Sequence, residues 1–247
     1  MVRNIGLLDT LVDFYKLSLA KNPRGRHEFV SEDDYVMNPK DDGYRGVHLI
    51  YRYHSQSKIY SKWNQLKVEI QLRTAFQHSW ATAVETVDMF TGDHLKTGTG
   101  DAQWGRFFTL MGTAIALREH KPVVPSTTSE FVEELRYLSS RLRVKNTFIA
   151  WGSAIQYLPL ETHAKDAHYF LLHLDTKAGK TLVTAFSKDH QLEAQQAYAE
   201  AESKTENIAT SQAVLVSVDK ISVLRAAYPN YWLDTSSFRS EVERAIK

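Results

Sequence analysis

Cysteine is absent from the 247 residues, which excludes disulfides, thiolate metal sites and cysteine nucleophiles and is compatible with a reducing compartment. A surplus of either charge is also missing. The 30 Lys and Arg residues face 29 Asp and Glu, for a net charge of +1, so composition names no polyionic partner, although a local basic patch can still exist. No apolar run approaches the roughly 20 residues of a membrane span, and the N-terminus has no signal-like apolar core. A cytoplasmic protein without a membrane partner is expected. Repeats and low-complexity tracts are lacking too. What is present is apolar material, 43% of the chain, enough for two cores in a chain longer than one compact domain commonly needs.

The spacing of Leu8, Leu11, Val12, Tyr15 and Leu19 predicts a helix over 5–19, closed by the Asn22, Pro23 and Gly25 loop. Short apolar or alternating runs predict strands at 27–30, 47–54 and 65–74, with a polar connection at 55–64. Helices are expected at 75–86, 104–117 and 130–142. From about residue 165 the texture changes. The run HYFLLHLDTKAGKTLVTAFS reads as a hairpin turning near Lys177–Lys180, then a helix at 189–203, a strand at 213–218 and short helices at 221–227 and 236–246. A domain boundary is placed between 150 and 165, giving regions 1–150 and 151–247.

The segment VEIQLRT, residues 68–74, carries the chemistry. A strand sends successive side chains to opposite faces, so Val68, Ile70 and Leu72 would face a core while Glu69, Gln71 and Arg73 share the other face. A carboxylate there can bind Mg²⁺ or accept a hydroxyl proton, and an Arg can neutralise phosphate oxygens. The same row also suits an ordinary wet sheet face. Upstream, PKDDGYRGVH sets Lys40, Tyr44, Arg45 and His48 on a turn-rich loop and the start of a strand. Downstream, QHSWATAVE brings His78 and Glu85 onto a helix. Each signal is weak alone.

Together, the ordered set PKxxGYRGVH, VEIQLRT and QHSWATAVE resembles the synthetase domain of the RelA/SpoT family. The resemblance implies a nucleotidyltransferase-like α/β (α+β) fold, with a mixed sheet flanked by helices and followed by a small α+β domain. It also implies a pyrophosphokinase that moves the β,γ-pyrophosphate of ATP to a ribose 3′-hydroxyl. The acceptor would be GDP or GTP, the product (p)ppGpp, and the setting the stringent response. By position, Tyr44 would stack on the acceptor base, and Lys40, Arg45 and His48 would surround its phosphates. Glu69 would be catalytic and hold Mg²⁺, supported by Gln71, Arg73 and His78. The family's upstream ATP-binding segment and its Asp do not precede Met1, so the chain reads as an N-terminally truncated synthetase. Activity is then expected once that segment is restored, and an inactive nucleotide-binding or interaction module is the alternative.

The tail AAYPNYWLDTSSF places Tyr228 and Tyr231 around Pro229. This element resembles the neutralising motif of CapRel-like toxin and antitoxin fusions. The resemblance implies a second alternative, a toxic synthetase modifying tRNA 3′ ends in phage defence. Its C-terminal antitoxin-like domain would respond to a phage or cellular protein trigger, with Tyr228 and Tyr231 as regulatory residues.

Overall fold

A computed structural model of the chain describes residues 1–21, 27–91, 95, 102–157, 167–175, 180–205, 208, 211–217 and 231–247. The alternation of VHLIYR organises its first part. Strand β2 (Val47–Arg52) buries Val47, Leu49 and Tyr51 and turns His48, Ile50 and Arg52 to the opposite face. It pairs antiparallel with β1 (Glu28–Asp34) on one side and β3 (Lys67–Leu72) on the other, in the order β1-β2-β3. An isolated parallel bridge joins Val2 and Thr74 beside this sheet.

Helix α1 (Ile5–Lys21) covers the apolar face. Asn4 caps it, its side-chain oxygen accepting the Leu7 N–H at 3.0 Å. Leu8 and Val12 then join Val36, Val47, Leu49, Tyr51 and Leu72 in one cluster. Truncating fully buried Leu49 to Ala would cost about 2–5 kcal/mol, the transfer free energy plus the cavity left behind.

The chain divides into two compact units, one of residues 1–81 and 108–131, the other of 82–107 and 132–247. Helices α2 (Ala75–Thr91) and α3 (Ala102–Arg118) each contribute residues to both. The second unit contains α4 (Phe131–Arg141), apart from its first residue, and α5 (Val144–Tyr157). It also holds β4 (Ala167–Asp175), β5 (Lys180–Ser187), α6 (Gln191–Thr205), β6 (Ser211–Ser217) and α7 (Tyr231–Ala245). The expected hairpin is β4 with β5, paired from Ala167↔Ser187 to Asp175↔Lys180, and β6 adds to the other edge of β4.

An aromatic core of Trp104, Phe107, Phe148, Trp151 and Phe238 fills this unit. Phe148 meets Phe238 at 5.4 Å between ring centroids, and Trp151 stacks on Phe90 at 5.0 Å. Helix α5 had no sequence expectation. The expected helix at 221–227 and Tyr228 lie outside the described residues, and Tyr231 is the first residue of α7. The described residues form a mixed α+β fold with two antiparallel sheets. Among the described residues no helix is long and apolar enough to cross a membrane.

Candidate active site

The face of the first sheet turned away from α1 carries the site, and pairing register builds it. His48 stands directly opposite Gln71, and Ile50 directly opposite Glu69. His48 and Glu69 are therefore diagonal neighbours, a separation that long side chains bridge. They do so here: His48 Nδ1 lies 2.5 Å from Glu69 Oε1. Arg73, just past β3, folds back over the loop and donates to the Tyr44 hydroxyl from Nε at 3.1 Å and from a terminal nitrogen at 2.8 Å. It also donates to Gln71 Oε1 at 2.7 Å. Tyr44 Oη in turn lies 2.6 Å from His48 Nε2. Tyr44, His48, Glu69, Gln71 and Arg73 thus form one connected polar set.

The loop reaches this position through close backbone packing. The Gly43 N–H closes a turn on the Lys40 carbonyl at 3.0 Å, and the Asp42 carboxylate accepts the Tyr44 N–H at 2.8 Å. Gly43 has φ +90°, and a Cβ there would lie 2.9 Å from the Phe108 carbonyl oxygen. Gly112 on α3 is the matching small residue, since its Cβ would fall within 2.7 Å of Gly43 Cα. Only a glycine pair lets loop and helix backbones approach this closely.

Arg45 has a different place from the one the resemblance implies. Its side chain is buried, 2% exposed, and donates to three backbone carbonyls: Gly112 and Val36 at 3.1 Å each, and Pro122. Burial pushes its pKa down to about 10, against the opposing field of Glu119, which still leaves it charged at neutral pH. Arg45 therefore pins the loop from inside, while Arg73 supplies the guanidinium on the open face.

Lys40 does stand at that face, its Nζ 4.3 Å from the centroid of the Tyr35 ring and 5.2 Å from that of Tyr44. Tyr35 is a member that the sequence reading missed. It meets Tyr44 and His48 edge-on at 5.8 and 5.2 Å, placed by a turn in which the Asp34 carboxylate accepts the Val36 and Met37 N–H groups. His78 sits half-buried in the first turn of α2. That helix starts at a reciprocal cap: the Thr74 hydroxyl accepts the Gln77 N–H, and Gln77 Oε1 accepts the Thr74 N–H. Both side chains also donate to the Glu119 carboxylate, at 2.6 and 2.8 Å. Burial raises the Glu119 pKa above its ordinary value.

The electrostatics favour neutral groups in the centre. Burial lowers the His48 pKa, against the pull of Glu69, and burial raises that of Tyr44, against Arg73. Glu69 itself is open, with 44% of its side chain exposed, whereas His48 is 11% exposed. Among the described residues no cluster of three His, Cys, Asp or Glu could hold a metal unaided. The arrangement offers one accessible carboxylate beside a histidine, two tyrosine rings and two cations, a set suited to an aromatic base carrying phosphates.

Residues 8–88 match the family model described as the region found in RelA / SpoT proteins. The match supports a RelA/SpoT-type synthetase region over this part of the chain. The match takes in every site residue named above except Glu119 and the packing contacts beyond α2. No curated protein matches the chain.

Proposed function

We propose that the first unit binds the acceptor and performs the proton abstraction of a RelA/SpoT-type pyrophosphokinase, with a guanine nucleotide as acceptor. The observation that supports this most directly is the convergence of Tyr35, Tyr44, Lys40 and Arg73 around the accessible Glu69 on one sheet face. Tyr44 and Tyr35 present aromatic surface to the base, and Lys40 and Arg73 compensate its phosphates. Glu69 takes the proton of the 3′-hydroxyl as its oxygen bonds to the β-phosphorus of ATP. The bond from that phosphorus to the α-phosphate oxygen breaks, and AMP leaves.

Mg²⁺ fits this site as a cation brought by the ATP phosphates, since Mg²⁺ commonly takes one or two carboxylates together with waters and substrate oxygens. Glu69 would hold it, and the ion would supply charge neutralisation on the transferred phosphates.

Offering radiolabelled ATP with GDP, GTP or deacylated tRNA to the full-length protein, beside equilibrium binding of each acceptor to the chain, tests the reading. Label and affinity on the guanine nucleotides are expected. Label on tRNA alone would replace the acceptor with an RNA 3′ end, and neither binding nor transfer to any acceptor would end the proposal.

A further inference from the structure

The connected set has a direction that chemistry alone dictates. Arg73 has donors and no acceptor, so Tyr44 Oη must accept its two N–H bonds, at 3.1 and 2.8 Å. The hydroxyl proton of Tyr44 is then free to point at its remaining close neighbour, His48 Nε2 at 2.6 Å. From the other end, an ionised carboxylate only accepts, so His48 Nδ1, 2.5 Å from Glu69 Oε1, must carry a proton. Both ends demand the same imidazole: proton on Nδ1 and lone pair on Nε2. Two independent neighbours therefore over-determine one tautomer.

We infer that Tyr44 and His48 form a relay, Tyr44 Oη–H to His48 Nε2 and His48 Nδ1–H to Glu69 Oε1, which locks the histidine tautomer and aims the carboxylate so that Oε2 meets the substrate. Tyr44 and His48 are thus positioning residues for Glu69, in addition to any surface they offer a ligand. The inference rests on Glu69 being the carboxylate that takes the 3′-hydroxyl proton. It separates the hydroxyl of Tyr44 from its ring: the ring serves the base, and the hydroxyl serves the carboxylate through His48. Arg73 completes the device by occupying the acceptor lone pairs of the hydroxyl, which leaves the Tyr44 proton one use. Partners that orient a functional group in this way typically matter by about 10–100-fold when removed.

A two-bond proton–nitrogen correlation spectrum of the nitrogen-labelled full chain at neutral pH reads the tautomer directly, with the His48 signals assigned from their loss in His48→Gln. The expected wild-type result is the Nδ1–H form. Tyr44→Phe keeps the ring and removes the donor, so it should lower the Nδ1–H population in favour of Nε2–H. In the transfer assay it should lower kcat by about 10–100-fold while acceptor KM changes little. An Nε2–H wild-type histidine, or a Tyr44→Phe chain whose Nδ1–H population is undiminished, would overturn the relay. Absence of transfer by the wild-type full-length protein would count against pyrophosphate transfer, and the spectrum would still decide the relay, because it needs no turnover.

Discussion

Replacing Arg45 by Met distinguishes a guanidinium that holds the loop from one that holds a ligand. Met keeps most of the apolar stem and removes all three donors. The carbonyls of Gly112, Val36 and Pro122 would then lose partners inside the first unit. Each buried acceptor left unpaired costs about 1–3 kcal/mol. The simple sum overstates the effect, because removing a buried cation also relieves its own desolvation. Breaking one side of a buried charged network costs about 3–5 kcal/mol, and that is the expected loss. With a denaturant slope of about 1–3 kcal/mol/M in urea for a small unit, the midpoint should fall by on the order of 2 M. Tryptophan fluorescence can follow it, since Trp80 is buried in this unit and donates its indole N–H to the Phe108 carbonyl at 2.9 Å. An unchanged midpoint accompanied by lost acceptor affinity would refute the reasoning and return Arg45 to the ligand side.

Glu69→Gln should lower turnover by about 10²–10⁴-fold, the usual worth of a positioned general base. Its urea midpoint should hardly move, because the side chain is 44% exposed, and early melting at an undiminished rate per folded molecule would make the residue structural. Tyr44→Ala should weaken acceptor binding by roughly ten- to a hundredfold, the loss of about 1–3 kcal/mol of base stacking, while Tyr44→Phe retains most of it. Isothermal titration with GDP measures both, and equal losses would implicate the hydroxyl in binding. Gly43→Ala should destabilise the first unit by about 1–3 kcal/mol, because φ is +90° and the new Cβ would press on the Phe108 carbonyl. A thermal melt indistinguishable from wild type would show that the loop can back away from α3.

The sheet was legible because strand alternation and burial agree. The run VHLIYR alternates, and so does its burial. Strand β1 was read too short, ending at Val30, because its second half is Ser31, Glu32, Asp33 and Asp34. Those residues are tolerated where the strand lies at a sheet edge and largely exposed, a common defence against unwanted pairing. Helix α5 was missed although Val144, Phe148 and Trp151 repeat at helical spacing and are buried. Its start follows Arg143, whose φ of +48° reverses the chain, a conformation that nothing in an Arg side chain announces.

The site was legible to the same extent that local pattern could specify it. Glu69, Gln71 and Arg73 follow from period two along a single strand, on which Arg73 reaches Gln71, and the contact of Glu69 with His48 needs only one neighbouring strand in register. Arg45 and Tyr35 do not follow, because long-range neighbours decide what each one does. Arg45 lies in the GYR turn beside an aromatic and looks as available as Arg73. Its fate is settled by the carbonyls of Gly112 and Pro122, which are 67 and 77 residues away in sequence, and by the glycine pair that lets α3 come close enough to supply them. Arg45 draws the loop inward, and Gly43, Gly46 and Val47 are buried with it while Tyr44 stays partly open. This leaves Lys40 over the Tyr35 and Tyr44 rings, and it puts the Tyr44 hydroxyl between Arg73 and His48. A loop that lost this inner anchor would lose the tyrosine geometry along with its stability.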